Sequence, residues 1–81
     1  MKDSIVRFWL THHYLRWIGK RYSYFFRELI DDVTDSIPAK KIMERRYIAN
    51  EKFEAIAYDL NMDVRNVFRY HKQVIDKLIK L

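Results

Sequence analysis

The segment 46–78 constrains the fold more than any other part of the chain, because two helical patterns in it are separated by a short polar turn. A spacing of three and four residues, which marks one helix face, holds in its first half for Phe53, Ile56, Ala57 and Leu60. Asn61 comes next, and asparagine tolerates the left-handed backbone that ends many helices. Asp63 can then cap a second helix, with a shared apolar face at Val67, Val74 and Leu78 and further apolar residues beside it at Val64, Phe68 and Ile75. Two helices joined by a turn of about three residues are typical of a helix-turn-helix.

Residues 37–81 as a whole resemble region four of sigma-70-type RNA polymerase sigma factors, and the small phage regulators of the ArpU and RinA type that share this module. In the family pattern an Arg-Tyr pair closes one helix. An Ile-Ala pair on the next helix then leads to a Leu-Gly turn, a polar cap and a basic helix. The matching residues here are Arg46, Tyr47, Ile56, Ala57, Leu60, Asp63, Val67 and Leu78. Asn50 and Asn61 stand where the family has glycine, and asparagine also tolerates a positive φ.

The resemblance implies a DNA-binding transcription regulator of phage or mobile-element type, whose recognition helix, about residues 63–80, lies in the major groove. Double-stranded DNA is the partner that it implies, with RNA polymerase as a second one. The chain lacks the part of a sigma factor that opens promoters, so we do not expect a complete sigma factor. Other positions also depart from the family pattern: Ala55 stands in place of Glu, Lys52 replaces a Ser or Thr cap, and His71 replaces an apolar residue.

The distribution of charge agrees with DNA binding, because the net charge of +5 is concentrated in the second half of the chain. Residues 1–36 hold six Lys or Arg and five Asp or Glu, a net +1, whereas residues 37–81 hold ten and six, a net +4. A positive excess attracts the phosphates of nucleic acids. Lysine and arginine are also ordinary surface residues, so charge alone does not identify a DNA-binding protein.

Three polar residues lie in the first two turns of the last predicted helix, where a recognition helix meets base edges: Arg65, Asn66 and Arg69. Arginine suits the O6 and N7 atoms of guanine, and asparagine suits adenine, so these are the predicted base-reading residues. The predicted phosphate contacts, which position a protein without specifying a sequence, are Lys40, Lys41, Arg45, Lys52 and Lys72. The alternative for each of these residues is a solvated charged surface. Arg46 either contacts phosphate or pairs with a carboxylate inside the module.

Residues 1–36 form a separate segment, in which apolar residues recur every seven positions at Phe8, Leu15, Tyr22 and Leu29. This spacing predicts one long helix to about Thr34. The alternative is a break at Gly19, since glycine costs a helix interior about 1 kcal/mol relative to alanine.

Eight of the thirteen aromatic residues lie in this N-terminal segment, and three of them, Trp9, Trp17 and Tyr24, project away from the seven-residue seam. A helix that is apolar on two sides requires two partners. We therefore expect a homodimer through the N-terminal helix. The alternatives are that the rings complete a small core within one chain, or that they stack on single-stranded bases.

Composition indicates a small all-α protein with one compact domain. The residue pattern and the resemblance divide it into the aromatic helix of residues 1–36 and the helix-turn-helix module of residues 37–81. The chain is 49% hydrophobic and holds one glycine and one proline, which argues against disorder and long loops. It has no cysteine, which is usual for an intracellular protein. No apolar run approaches the ~18 residues of a membrane span, and the N-terminus lacks a signal-peptide core. We therefore expect a cytoplasmic protein that does not enter a membrane.

No group of residues points to catalysis, a cofactor or a metal ion. The chain has no cysteine nucleophile, no glycine-rich phosphate loop and no Ser-His-Asp order that helices would bring together. His12 and His13 are adjacent, so they point about 100° apart on a helix and cannot share a metal ion. We expect no enzyme. Two alternatives to a DNA-binding regulator stay open: a protein-interaction module that binds RNA polymerase or another protein, and the DNA-recognition subunit of a phage packaging machine.

Overall fold

Helices joined by tight turns make up the described chain. The structure, a computed structural model, describes the backbone of residues 2–80 and the side chains of residues 10–80. These residues form five α-helices and no strand: α1 (Lys2–Arg21), α2 (Ser23–Val33), α3 (Ile37–Tyr47), α4 (Phe53–Asp59) and α5 (Val64–Ile79). The predicted all-α class is therefore confirmed for these residues.

The prediction of one long helix to about Thr34 is wrong, because the chain breaks at Tyr22 into α1 and α2. Tyr22 has φ −133° and ψ 62°, outside the helical region, whereas Gly19, the alternative break, lies within α1. A straight helix over residues 2–33 would be about 48 Å long at 1.5 Å per residue, but the longest dimension of the molecule is 33 Å. The break folds the chain back, so that side chains of both helices reach one core.

The seven-residue seam is divided by this break. Leu15 is fully buried and Leu29 is half-buried, but Tyr22 is exposed. Trp17 and Tyr24, which were predicted to project away from the seam, are also exposed. The predictions for Phe8 and Trp9 concern side chains that lie outside the described residues.

Local sequence signals account for the start of α3. The Oγ atom of Ser36 accepts a hydrogen bond from the backbone N–H of Ala39 (3.3 Å). Pro38 lies in the first turn, where its missing N–H costs nothing. The Oγ1 atom of buried Thr34 accepts the backbone N–H of Ser36 (3.1 Å). These bonds satisfy donors near the helix start.

Two clusters of buried side chains hold the helices together. The larger cluster joins α1, α2, α3 and α5 through Leu15, Ile18, Phe26, Ile30, Ala39, Met43, Tyr47, Val74 and Ile75. The smaller cluster joins α3, α4 and α5 through Ile42, Ile56, Ala57 and Val67. Because α3 and α5 contribute to both clusters, the first two helices and the last three pack as one unit.

Gly19 allows α1 to approach α3 closely. A Cβ atom at Gly19 would lie 2.5 Å from the backbone oxygen of Tyr47 and 2.8 Å from its carbonyl carbon. Both distances are well inside van der Waals contact. This position therefore requires glycine despite its low helix propensity, because any side chain would push the two helices apart.

Candidate nucleic-acid interface

A sharp turn joins α4 to α5. Asn61 has a φ of 55°, and the backbone N–H of Met62 donates to the carbonyl oxygen of Ala57 (2.9 Å). Asp63 then caps α5, because its Oδ1 atom accepts the backbone N–H of Arg65 (2.9 Å). The left-handed asparagine and the aspartate cap were both predicted from residue type, and both are confirmed.

A second left-handed residue, Asn50, has a φ of 57° and turns the chain between α3 and α4. The guanidinium group of Arg46 stabilises this turn by donating to the backbone oxygen of Glu51 (3.0 Å). It also lies over the ring of Phe53, 4.4 Å from the centroid, which is a cation–π contact. Lys52 precedes α4 without a side-chain hydrogen bond to its first turn, as its residue type predicts.

The predicted base-reading residues lie on the solvent side of α5. Arg65, Asn66 and Arg69 are exposed, whereas Val67 and Val74 face the core and are fully buried. Their position in the first two turns of α5 leaves all three side chains accessible to a groove. Base reading itself stays a prediction.

Phe68 lies among these exposed residues, although the sequence pattern places it beside the apolar face. It is 46% exposed and packs edge-to-face on Phe53, with 4.9 Å between ring centroids. Residues three and four apart are neighbours on a helix, so Arg65 and Lys72 flank Phe68. The start of α4 therefore lies close to the exposed side of α5.

Close ion pairs, with N···O distances of 3.1 Å and 2.7 Å, hold Lys40 and Arg45, two of the predicted phosphate contacts. The Nζ atom of Lys40 lies 3.1 Å from a carboxylate oxygen of Asp31. Arg45 donates to both carboxylate oxygens of Glu51 (2.7 and 3.1 Å) and also to Asp59. The hydrogen bond with Glu51 is the main cause that raises the pKa of Arg45. A guanidinium held by two carboxylates has little remaining charge with which to attract phosphate.

The other predicted phosphate contacts, Lys41, Lys52 and Lys72, are exposed. Lys72 lies 3.5 Å from Asp76, one helical turn away, and an exposed pair of this kind contributes less than about 1 kcal/mol. Among the side chains of residues 10–80, none forms an ion pair with Lys41 or Lys52. The charges of these three lysines are therefore more available to a phosphate than those of Lys40 and Arg45.

A buried hydrogen-bonded network lies behind this surface. The hydroxyl oxygen of Tyr47 lies 2.8 Å from Nδ1 of His12 and 2.6 Å from Nε2 of His71. The hydroxyl can donate to only one of the two rings, so the other ring must donate its N–H to the hydroxyl oxygen. The network joins α1, α3 and α5. Sequence reasoning missed it, although the position of His71 between Val67 and Val74 on the apolar face of α5 was a signal of burial.

Burial keeps this network uncharged at neutral pH. Desolvation lowers the pKa of His71 to about 4, with further contributions from His12 and Arg46. Desolvation and the charge of Arg46 also lower the pKa of His12, and burial raises the pKa of the Tyr47 hydroxyl. Protonation of either imidazole would place a cation near Arg46, so the arrangement suits a structural role.

Within the described part of the chain, no three His, Cys, Asp or Glu side chains are arranged to hold a metal ion. The rings of His12 and His13 lie edge to face with 5.9 Å between centroids. Of the helices described here, none is both long enough and apolar enough to cross a membrane.

Comparison with known proteins identifies no relative: no family model matches the chain, and no curated protein or solved structure matches it. Its function must therefore be inferred from its own residues.

Proposed function

We propose that this protein binds double-stranded DNA as a small transcription regulator, with α3, α4 and α5 forming a helix-turn-helix module and α5 lying in the major groove. The observation that carries the proposal is the exposure of Arg65, Asn66 and Arg69 on the first two turns of α5. They follow the turn between α4 and α5, in which Asn61 is left-handed and Asp63 caps α5. The resemblance of residues 37–81 to sigma region four and to small phage regulators supports the same function.

The contacts of each basic residue suggest different roles within this function. Arg65, Asn66 and Arg69 would read base edges. Lys41, Lys52 and Lys72 would contact phosphates, because their charges are the more available ones. The ion pairs of Lys40 and Arg45 suggest that these two residues mainly stabilise α3 and the turn that follows it.

Selection of bound sequences from a random duplex pool, followed by affinity measurements on two variants, tests the proposal. Arg69→Ala should change the free energy of unfolding by less than about 0.5 kcal/mol. It should lose about 1–3 kcal/mol of discrimination at one base position. Lys72→Ala should instead weaken binding to all sequences alike and reduce the slope of log affinity against log salt by about 1.

Lys77→Ala is the matched control, because Lys77 is exposed in the last turn of α5, away from the reading residues. It removes the same charge and should leave both specificity and salt slope nearly unchanged. Absence of binding to any duplex at low salt would contradict the proposed function. If Arg69→Ala and Lys72→Ala reduce specific and non-specific binding by the same factor, Arg69 contacts phosphate and the assigned reading side of α5 is wrong.

A protein-interaction module is the second candidate, and exposed aromatic rings on α1 favour it. Trp17 is 51% exposed and packs edge-to-face on the exposed ring of Tyr22, with 5.6 Å between centroids. Leu10 and Tyr14 are also exposed and lie seven and three residues before Trp17. This apolar stripe suits a second copy of the chain, RNA polymerase or another protein. Sedimentation of the wild type and of Trp17→Ala at tens of micromolar tests the homodimer. The wild type should sediment as a dimer, and the substitution should weaken that dimer.

A further inference from the structure

Two shallow clefts flank the end of α3, and they differ in charge. The first, of about 230 Å³, is lined by Arg16, Lys20, Tyr47, Ile48 and Asn50. The second, of about 260 Å³, is lined by Arg27, Lys41, Glu44, Arg45, Ile48 and Ala49. Carboxylates balance most of the charge of the second cleft, since Arg27 pairs with Glu44 (2.8 Å) and Arg45 pairs with Glu51. The lining of the first cleft combines two cations with no carboxylate, so its positive charge is the less balanced one.

A chain of contacts connects the first cleft with the exposed side of α5. The ring of Phe68 contacts Phe53, and Phe53 directly follows Lys52. Asn50, two residues before Lys52, lines the cleft. Two residues of chain span at most about 7 Å, so Lys52 lies near the cleft. The chain from Asn50 to Phe53 therefore links the cleft with the exposed side of α5. The cations along this path, here called the basic edge, are Arg65, Lys72, Lys52, Arg16 and Lys20.

We propose that Arg16 and Lys20 bind DNA backbone phosphate, so that α1 extends the interface beyond the helix-turn-helix module. The inference rests on the proposed function, since it needs a duplex lying against α5. In that geometry the first helix of the motif crosses the sugar-phosphate backbone, which brings phosphates to Lys52 at the start of α4. In this arrangement the same DNA strand continues past the cleft beside Asn50. Its two cations supply the charge that a neighbouring phosphate requires.

A structural role for the same two cations makes a different prediction. The cleft adjoins the C-terminal end of α3, and cations near such an end stabilise the helix through its dipole. If Arg16 and Lys20 act only in this way, their removal lowers the melting temperature but leaves the salt dependence of DNA affinity unchanged. Thermal unfolding and salt titration therefore separate the two roles.

The test compares the wild type with the double variant Arg16→Gln/Lys20→Gln on one selected duplex across a range of salt concentrations. Each lost phosphate contact should reduce the slope of log affinity against log salt by about 0.9. Two lost contacts should therefore reduce it by about 1.8, which corresponds to roughly 60-fold weaker binding at 0.1 M salt with little loss at 1 M. The exchange Arg16→Lys/Lys20→Arg retains both charges and should retain most of the slope.

The matched control is Arg21→Gln/Lys77→Gln, which removes two exposed cations that do not line the cleft. It should leave the slope nearly unchanged. If the double variant is unstable, Lys20→Gln alone should still reduce the slope by about 0.9. If the wild type binds duplex but the cleft variant keeps the wild-type slope, or the control reduces it equally, the inference is overturned while the proposed function stands. If the wild type binds no duplex, both are overturned.

Discussion

His71→Leu tests the buried network most directly, because it removes one of the two imidazoles around Tyr47 and keeps an apolar side chain of similar size. His71 is only 6% exposed, and its ring is stacked on Tyr47 and packed edge-to-face on Phe53. The Tyr47 hydroxyl retains His12 as a hydrogen-bond partner in the variant. At pH 7 the substitution should therefore cost about 1 kcal/mol, the net contribution of one intramolecular hydrogen bond.

The pH dependence is the stronger part of this prediction. The pKa of His71 is about 4 in the folded protein and about 6.5 in an unfolded chain. Because the folded pKa is the lower one, the unfolded chain binds more protons between these values, and the wild type loses stability as pH falls through this window. The loss from His71 amounts to about 2 kcal/mol at pH 5 and about 3 kcal/mol at pH 4. The variant lacks this loss, so its stability should equal that of the wild type at about pH 6 and exceed it at pH 5.

Urea unfolding of both proteins at pH 7, 6 and 5, followed by circular dichroism, measures this crossing. Carboxylates and His12 are present in both proteins, so their contributions largely cancel in the difference. Val74→Ala is the control, since it alters the same buried face of α5 without removing a titratable group, and its difference from the wild type should stay constant between pH 7 and pH 5. A difference between wild type and His71→Leu that stays constant from pH 7 to pH 5 would refute a neutral, buried His71.

Substitutions at three further positions test the close helix approach and the turns by thermal unfolding. Gly19→Ala should gain about 1 kcal/mol of helix propensity but lose more by placing a methyl group 2.5 Å from the Tyr47 backbone oxygen. The net loss should be about 1–2 kcal/mol, and a raised melting temperature would contradict the close approach. Asn61→Ala should cost about 1–2 kcal/mol of stability because alanine disfavours the left-handed conformation, whereas Asn61→Gly should leave stability unchanged. Equal losses in the two variants would contradict a left-handed residue at this turn. Asp63→Ala should cost about 1 kcal/mol of stability through loss of the helix cap. Asp63→Asn keeps a capping oxygen and should retain stability, so an equal loss in both variants would contradict the role of the cap.

Turn chemistry was predictable from the sequence because it depends on neighbouring residues. Asn50 and Asn61 adopt a positive φ for the same reason that glycine does in the resembling family, namely low steric cost. Ser36 and Asp63 cap the helices that directly follow them. The apolar faces of α4 and α5 followed from spacing alone, and burial of Ile56, Ala57, Val67 and Val74 agrees with that spacing.

Features that depend on the packing of distant segments were not predictable in this way. The apolar spacing continues across Tyr22, so no local signal marked the break between α1 and α2, and Gly19 offered a plausible but wrong position. The ion pairs of Lys40 and Arg45 also escaped prediction, because their partners are set by how the helices pack. The bonds of Tyr47 to His12 and His71 span 35 and 24 residues, a separation at which residue patterns carry no information about contact.

Tyr47 connects this fold to the basic edge, because it holds α1 at two points. Its backbone oxygen lies against Gly19, and its hydroxyl bonds to His12. These two positions are seven residues apart, about 10 Å along the helix, so α1 cannot rotate about either contact alone. Arg16 lies between the two points and Lys20 directly after the second, which fixes the backbone from which both cleft cations extend. If α1 does bind phosphate, it does so from a position already set relative to α5, and less conformational freedom is lost on binding.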